Sequence, residues 1–455
     1  MLYVAGEKIL VLMSPLDASQ VFKDENSFAF DSFIDMVYRG VGNVSDEANR
    51  ILWRTPKEGF TSLHPNPHGK VLVHPGNALL HKQLLTPSYL QELTRKVTGC
   101  IEDNMQWESF FDTSVLSSNT NTKIVSLHCW CRDVLIEAQN RAWFGEYIWE
   151  LEPRMTVLFD EWDINSWMIT YRYPRMMAKA ATRPRDRLIK VLTRYLDTPR
   201  EKRSGGVPFV NELEDEERHA GLSSEDSARI MFIILWGINS NVQMTTFWMM
   251  AHLLKRPAVA AAVREEISVA MRTTESTEST SGVTLAEVVA HDLVSCCPLL
   301  NSAFNEVLRI HSTGSSVREV VKPVRVRGKS IPLGIKVLIP QRQLLLAMEA
   351  FGFDAHEVDL SRFLRDKSLE RHAHYRPFGG GITLCSGRVI GRREVLAFVA
   401  LALWRYDMQP LEAGEEAFGV KGMPFPKLDE GKPSLGMSKQ VEGHDMFVKV
   451  TRRDH

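Results

Sequence analysis

One cysteine lies in a glycine-rich segment directly ahead of a predicted helix. The segment reads FGGGITLCSGR over residues 378–388, with Gly379 and Gly387 on the two sides of Cys385. Glycines allow the backbone to pass close to a flat ligand, and the start of the following helix aims amide donors and a partial positive charge at the sulfur. These surroundings favour the thiolate. The pattern predicts that Cys385 is an ionised axial ligand; the alternative is a glycine turn with an incidental cysteine.

A glutamate and an arginine lie upstream of this segment, on a helix predicted from about Pro298. Glu306 and Arg309 are three residues apart and share one helix face, where opposite charges can pair. Such pairs usually lie on the solvent-exposed surfaces of helices. The position of this pair, before a β region and ahead of Cys385, favours a structural role instead.

Helical patterns occupy most of the remaining chain. The longest predicted helix begins after the N-cap candidate Ser223, ends before Pro257 and is apolar on most sides, which predicts that it is buried. Strands are predicted over residues 2–13 and 323–340. Solvated loops are predicted over three stretches: 198–206, 212–217 and 273–282. The expected fold class is therefore mainly α with a small β region.

The composition is typical of a soluble globular protein, with 455 residues, 44% hydrophobic and 24% charged. Lys and Arg total 55 against 56 for Asp and Glu, and the net charge of −1 provides no field to attract nucleic acid. The six cysteines show neither a CxxC pair nor an even spread, which argues against zinc and disulfide frameworks and favours a reducing compartment. The longest apolar stretch, residues 230–254, is interrupted by polar residues and is too polar to cross a bilayer comfortably.

The cysteine segment resembles the haem-binding signature of the cytochrome P450 family, Phe-Gly-x-Gly-x-x-x-Cys-x-Gly. Its fixed positions are occupied here by Phe378, Gly379, Gly381, Cys385 and Gly387. The order of long helix, Glu/Arg helix, small sheet, cysteine loop and terminal helix also matches the family from about residue 223 to 404. The resemblance implies a single P450 domain over residues 1–455, with haem b between the long central helix and the cysteine-loop helix. It implies that Phe378, Gly379 and Gly387 contact the haem and that Cys385 is the metal ligand.

Three charged residues match the family's structural triad. Asp359-Leu-Ser-Arg362-Phe363 resembles the Arg-Phe meander motif of the family. The resemblance implies that Arg362 joins Glu306 and Arg309 in a buried charge network that buttresses the cysteine loop. Such a network is costly unless it is complete.

The propionate contacts match the family more loosely. Arg318 resembles the arginine that binds a propionate through its guanidinium. Lys82 stands where the family often has a second propionate-binding arginine, and it keeps the charge but lacks the guanidinium fork. Thr383 replaces a common Arg or His, and Gly391 replaces a common Ala. We therefore expect haem affinity to depend more strongly on Arg318 and Lys82.

The central helix departs from most of the family. Ser240 and Asn241 stand where most members have an acid–threonine pair that delivers protons. An Asn at this position resembles the branch that contains the sterol 7α- and 12α-hydroxylases and prostacyclin synthase. We hypothesise that Asn241 and Ser240 hold a water that relays protons. In the alternative interpretation, Asn241 is a polar residue that bonds to the backbone and bends the helix.

The resemblance implies a monooxygenase that oxidises a small lipophilic metabolite, such as a terpenoid or steroid, with dioxygen. Electrons would come from NADPH-cytochrome P450 reductase, with cytochrome b5 as a further donor. A basic cluster that could dock an acidic donor surrounds the cysteine loop: Arg371, His372, His374, Arg376, Arg388, Arg392 and Arg393. Two alternatives stay open. One is an isomerase or dehydratase acting on a peroxide or similar substrate, and the other is a non-catalytic haem-binding relative.

The same resemblance bears on location. Microsomal members begin with a membrane-spanning helix and a proline-rich hinge ahead of the strand that resembles residues 2–13, and the sequence predicts neither here. The family likeness implies the endoplasmic reticulum membrane for a full-length form. The cysteine loop is fungal in style.

Overall fold

The secondary structure is mainly helical with small sheets, which confirms the predicted fold class. The computed structural model describes residues 1–453 except 5–6, 56–57, 60, 67–68, 279–292 and 294. The helices are α1 (Pro15–Lys23), α2 (Asp31–Gly40), α3 (Asp46–Leu52), α4 (Val73–Leu85), α5 (Pro87–Asn104), α6 (Leu127–Phe144), α7 (Tyr147–Leu151), α8 (Met155–Asn165), α9 (Trp167–Thr170), α10 (Lys179–Asp197), α11 (Pro208–Ala220), α12 (Ser224–Leu254), α13 (Pro257–Glu278), α14 (Pro298–His311), α15 (Gln341–Leu345), α16 (Met348–Phe351), α17 (Arg362–Arg365) and α18 (Arg388–Arg405).

Two larger sheets accompany these helices. The strands are β1 (Leu2–Val4), β2 (Glu7–Val11), β3 (Phe28–Ala29), β4 (Val115–Ser118), β5 (Thr122–Ser126), β6 (Ser315–Val320), β7 (Val324–Val326), β8 (Lys329–Ile331), β9 (Lys336–Pro340), β10 (Tyr406–Pro410), β11 (Glu416–Ala417), β12 (Val420–Lys421) and β13 (Phe447–Arg452). One sheet has the order β1-β2-β9-β6-β3 and the other β10-β13-β5-β4. The strands predicted over 2–13 and 323–340 are confirmed, whereas β4, β5, β10 and β13 were not predicted.

The central helix α12 begins and ends where the sequence predicts. The Ser223 hydroxyl caps it by accepting a hydrogen bond from the Asp226 amide at 3.1 Å, and Glu225 and Asp226 favour its start through the helix dipole. Helices α6, α10 and α18 pack against it. Because neighbours cover it on several sides, α12 is apolar around most of its circumference.

The acidic stretch over 212–217 is not a loop, so that prediction is wrong. It lies inside α11, where Glu214, Glu216 and Glu217 are buried. Arg203 Nη2 contacts Glu214 Oε2 at 2.6 Å, and Glu216 accepts bonds from Ser62 Oγ and from nearby backbone amides. Partners outside α11 therefore make burial of Glu214 and Glu216 tolerable. Part of the loop predicted over 273–282 is also helical, since α13 extends to Glu278, and residues 279–282 lie outside the described residues.

Among the described helices, none combines the length and the apolar character needed to cross a membrane.

Candidate functional site

The cysteine loop is a compact turn whose shape depends on glycine. The Cys385 amide donates to the Phe378 carbonyl at 3.1 Å and closes the loop. Gly379 and Gly381 have positive φ values of 77° and 64°, which favour glycine. A Cβ on Gly381 would lie 2.5 Å from the Phe22 carbonyl oxygen. These two glycines therefore shape the loop and fit it against α1, and the haem contact of Gly379 stays a prediction.

The Cys385 side chain opens into a cavity of about 930 Å³, here called the Cys385 cavity. Residues from α4, α12, α14 and α18 line it, together with the cysteine loop and the 435–437 segment. Its lining includes Ala78, His81, Gly237, Ile238, Asn241, Val242, Phe304, Phe378, Thr383, Cys385, Gly387, Ile390, Glu394 and Met437. The structure thus brings Phe378, Cys385, Gly387 and Asn241 to one space between α12 and α18.

Opposing effects act on the Cys385 thiol. Burial raises its pKa, while hydrogen bonds from the amides of Gly387 and Arg388 and the charge of the Arg388 guanidinium lower it. Burial dominates, so the start of α18 alone does not ionise the sulfur as the sequence pattern suggested. Metal coordination deprotonates a thiol outright. The amide donors are therefore placed to stabilise a thiolate that a bound metal produces.

The predicted triad is assembled in one buried network. Glu306 and Arg309 are both 0% exposed and form a bidentate pair, with both N–O distances 2.8 Å. Arg362 Nε lies 3.3 Å from Glu306 Oε1, and the Asp359 amide donates to the same oxygen at 2.9 Å. Arg309 also donates to the Leu345 carbonyl at 3.0 Å. The network ties α14 to the segment that leads into the cysteine loop, and none of its three predicted members lines the Cys385 cavity.

Arg318, on β6, is a buried cation beside the cavity. It is 3% exposed and lies near the rings of Phe22 and Phe30, 5.5 and 5.1 Å from their centroids. Its guanidinium donates to the Val317 carbonyl and to Thr383 Oγ1, and no carboxylate of the described residues pairs with it. Burial lowers the pKa of Arg318 to about 10. Because an unpaired buried charge is costly, this corner fits an anionic group such as a haem propionate.

Substitution of Arg318 tests this assignment. Arg318→Met keeps an unbranched side chain, although a shorter one, and removes the charge; a charge-assisted hydrogen bond contributes about 1.5–3 kcal/mol. We therefore expect haem affinity to fall by about 10- to 100-fold, as measured by haem transfer to an excess of apomyoglobin. Arg327→Met, at a position more than half exposed, is the control. Equal haem transfer from both variants would contradict the assignment.

Lys82 does not face the Cys385 cavity, so its predicted propionate contact is corrected. Its Nζ lies 2.7 Å from Glu212 Oε1 of α11 and 4.9 Å from the centroid of the Tyr89 ring. The preceding residue, His81, lines the cavity instead. Burial and the charge of Arg388 lower the pKa of His81, which favours the neutral imidazole. The sequence did not indicate His81, because Lys82 is drawn away from the cavity by Glu212. That partner is 130 residues away and is not visible in the local pattern.

Asn241 and Ser240 are adjacent on α12, and only Asn241 lines the Cys385 cavity. Asn241 lines the Cys385 cavity, and its Oδ1 accepts a hydrogen bond from the Met437 amide at 2.9 Å. This bond leaves Nδ2 as the donor of Asn241. Ser240 Oγ donates to Asp163 Oδ1 at 2.8 Å and does not line the cavity. Ser240 and Asn241 both line a second cavity of about 510 Å³ on α12, so the water shared by the two residues stays a prediction.

Glu394 is a cavity residue that the sequence reasoning missed. It lies on α18, is 0% exposed, and neither carboxylate oxygen has a hydrogen-bond partner among the described residues. Burial raises the pKa of Glu394 well above its usual range, which favours the neutral acid. The available signal was its spacing, four residues from Ile390 and from Phe398, on the apolar face of a helix.

The raised pKa of Glu394 predicts a pH-dependent stability. The folded protein binds this proton more tightly than the unfolded chain, so the stabilisation is present below the usual pKa of 4.5 and is lost as the pH rises. In Glu394→Gln the side-chain amide has no acidic proton, so this loss of stability with rising pH does not occur. The melting temperature of the variant should therefore rise relative to the wild type between about pH 5 and 8. Thermal unfolding of the haem-loaded proteins measures the melting temperature at each pH, and Glu201→Gln at an exposed position is the control. A difference in melting temperature between Glu394→Gln and the wild type that does not change with pH would refute the neutral state of Glu394.

Comparison with known proteins agrees with this site. The family model "Cytochrome P450" matches residues 131–423. "Cytochrome P450 monooxygenase poxD" of Penicillium oxalicum is 29% identical over 250 residues, covering 53% of this chain and 49% of that protein. Human "Prostacyclin synthase" is 28% identical over 255 residues, covering 51% and 47%. The chain thus spans about half the length of these curated relatives.

A solved structure shows the same fold. The retinoic acid-bound cyanobacterial CYP120A1 superposes with a TM-score of 0.68 at 17% identity, covering 98% of this chain and 90% of that one. The fold and the cysteine loop define a haem-thiolate protein. The chain belongs to the cytochrome P450 family, which confirms the resemblance to fungal members and to the prostacyclin synthase branch. Membership implies a haem with a cysteine thiolate ligand.

Proposed function

We propose that this protein is a haem-thiolate monooxygenase that oxidises a small lipophilic metabolite of the terpenoid, steroid or similar secondary-metabolite class. The observation that carries the proposal is the Cys385 sulfur, whose thiolate the backbone amides of Gly387 and Arg388 favour and which is open to a largely apolar cavity beside the buried cation Arg318. The printed name of the Penicillium oxalicum relative supports the reaction class.

Each group around the cavity has a distinct role in this proposal. Haem b bound through Cys385 would supply the activation of dioxygen, favoured by the electron-donating thiolate. Arg318, which also donates a hydrogen bond to Thr383, would bind a haem propionate. Ile238, Val242 and other apolar residues would bind the lipophile and exclude water. Asn241 would orient a polar atom of the bound molecule through Nδ2, while Glu394 holds a proton beside the same space.

NADPH-cytochrome P450 reductase is the proposed electron donor, with cytochrome b5 as a second. The basic cluster predicted for its docking is smaller than the sequence suggests. Arg376 donates to Ser19 Oγ, Arg392 to Asn305 Oδ1 and Arg393 to Thr94 Oγ1, so these three cations serve contacts within the fold. Arg371 and His372 remain exposed and would contact the donor.

A second candidate is an isomerase or dehydratase that acts on a peroxide. Asn241 and the similarity to human prostacyclin synthase favour it. One experiment separates the two candidates. The haem-loaded protein is incubated with a terpenoid and steroid panel plus reductase and NADPH, or with a lipid hydroperoxide alone. Oxygenated products that require NADPH support the monooxygenase; rearranged products formed without NADPH overturn it in favour of the isomerase.

We further propose association with the endoplasmic reticulum membrane, and exposed apolar side chains supply a surface for it. Met176 and Met177 are 84% and 67% exposed, near the exposed rings of Tyr171 and Tyr173. Burying methionine side chains in lipid is favourable by about 1.5–3 kcal/mol each. Met176→Ser with Met177→Ser should weaken binding to phosphatidylcholine–phosphatidylserine vesicles at least about tenfold in flotation. Phe353→Ser, at an isolated aromatic that is 90% exposed, is the control, and equal flotation of both variants would count against this surface.

A further inference from the structure

Helix α11 runs along one wall of the Cys385 cavity without lining the cavity itself. This wall, here called the α4 wall, consists of residues 61–66 and α4, and no residue of α11 lines the cavity. Leu63 does not line the cavity and is 53% exposed, so the first part of the wall also faces solvent. The wall residues that line the cavity are Pro65, Asn66, His74, Pro75, Asn77, Ala78, Leu80, His81 and Leu84.

Glu216 of α11 binds the backbone of the first part of this wall. Its carboxylate is 0% exposed and accepts hydrogen bonds from Ser62 Oγ at 2.6 Å, from the Leu63 amide at 3.0 Å and from the His64 amide at 3.2 Å. Residues 61–66 form neither helix nor strand, so these amides have no regular backbone partner. The position of this part of the wall therefore depends mainly on one side chain of α11.

Two further contacts continue the same alignment. Thr61 Oγ1 lies 3.2 Å from His219 Nε2, about one turn after Glu216. Lys82 Nζ lies 2.7 Å from Glu212 Oε1, one turn before Glu216. As the wall runs forward, its partners on α11 run backward, so the two are antiparallel neighbours. Because residues 212 and 216 are four apart, both carboxylates project from the same face of α11.

Neighbouring acids of α11 bind partners on another side. Glu214 pairs with Arg203 at 2.6 Å and Asp215 with Arg200 at 2.5 Å, both in the segment before the helix. These four acids are therefore divided between two faces of α11, and those at positions 212 and 216 contact the α4 wall.

We propose that Glu212 and Glu216 are positioning residues that hold the α4 wall in place and thereby set the rate at which ligands enter and leave the Cys385 cavity. Local opening of residues 61–66 displaces Pro65 and Asn66 from the cavity and connects it with solvent. Weakening the contacts to α11 speeds entry and exit alike and leaves affinity nearly unchanged. The inference goes beyond the proposed function, since it applies to any ligand of the haem-loaded protein.

Hydrogen exchange and ligand kinetics of the haem-loaded protein test this proposal. Glu216→Ala removes the acceptor of the two amides, so deuterium uptake by residues 61–66 should become at least about tenfold faster. The association and dissociation rates of 1-phenylimidazole, followed by its spectral shift, should rise similarly, with a dissociation constant within about twofold of the wild type. Carbon monoxide is much smaller, and its rates should change by less than about twofold.

Asp215→Ala is the matched control, because it removes a neighbouring carboxylate of α11 that faces Arg200. Deuterium uptake by residues 61–66 and the rates of 1-phenylimidazole should then equal those of the wild type. Equal uptake and equal rates in Glu216→Ala and Asp215→Ala would overturn the proposal.

The pair of Lys82 and Glu212 provides a second test that does not depend on how Glu216→Ala folds. Lys82→Glu places like charges together and should raise both rates of 1-phenylimidazole by about three- to tenfold. Combining Lys82→Glu with Glu212→Lys restores opposite charges and should return both rates to within about twofold of the wild type. Rates that stay high in the double variant, or that do not rise in Lys82→Glu, would contradict the role of this pair. The proposed function can fail separately, because these measurements require bound haem but no turnover.

Discussion

Replacing Cys385 with serine should abolish the thiolate spectrum and reduce oxygenation to background. The serine hydroxyl has nearly the same shape but does not ionise to an equivalent soft ligand, so the electron-donating axial bond is lost while the loop retains its hydrogen bond from residue 385 to Phe378. The reduced carbon monoxide complex of the variant should lack the red-shifted Soret band of thiolate-ligated haem. NADPH-dependent product formation should disappear with it.

Cys296→Ser is the matched control for this experiment. Cys296 is also a free cysteine, and its side chain is exposed. This variant should keep the wild-type spectrum and activity. If Cys385→Ser retains the red-shifted band, or if both serine variants lose it, Cys385 is not the axial ligand.

Neutralising Glu306 should produce the largest loss of stability among single substitutions at the site. In Glu306→Gln the amide cannot compensate Arg309, which is 0% exposed, and it leaves Arg362 with weaker neutralisation. Removing one partner of a buried ion pair costs about 3–5 kcal/mol. That is a large part of the total stability of a typical domain, about 5–15 kcal/mol. Urea unfolding followed by circular dichroism should therefore show a much lower midpoint, with early release of haem.

An exposed ion pair provides the comparison for Glu306. Glu412 pairs with Lys255 at 2.9 Å, and both side chains are nearly half exposed. Because water screens such a pair, Glu412→Gln should cost less than about 1 kcal/mol. Similar midpoints for Glu306→Gln and Glu412→Gln would show that the buried network does not stabilise the fold as described.

Local signals predicted the parts of the molecule whose partners are close in sequence. Ser223 and the acids after it mark the start of α12, and Pro257 marks its end, because caps and prolines act within one turn. Glu306 and Arg309 pair at a spacing of three residues on one helix. In each case the deciding interaction is local, and the sequence displays it directly.

Contacts between distant segments decided the predictions that failed. Lys82 is held by Glu212, 130 residues away, and Glu216, in the stretch predicted to be a loop, accepts a bond from Ser62, 154 residues away. Neither pairing can be read from a local pattern.

The fit between Phe22 and the loop glycines has a consequence for biosynthesis. Gly380 and Gly381 would each clash with Phe22 if they carried a side chain, so the first helix and a turn more than three hundred residues later form one contact surface. Loop-closure entropy delays such distant contacts during folding. During synthesis on a ribosome, the cysteine loop emerges after most of the polypeptide. It then packs against Phe22 of α1, which was made much earlier. Haem binding should accordingly be a late step. Nascent chains that are halted before residue 388 should bind no haem.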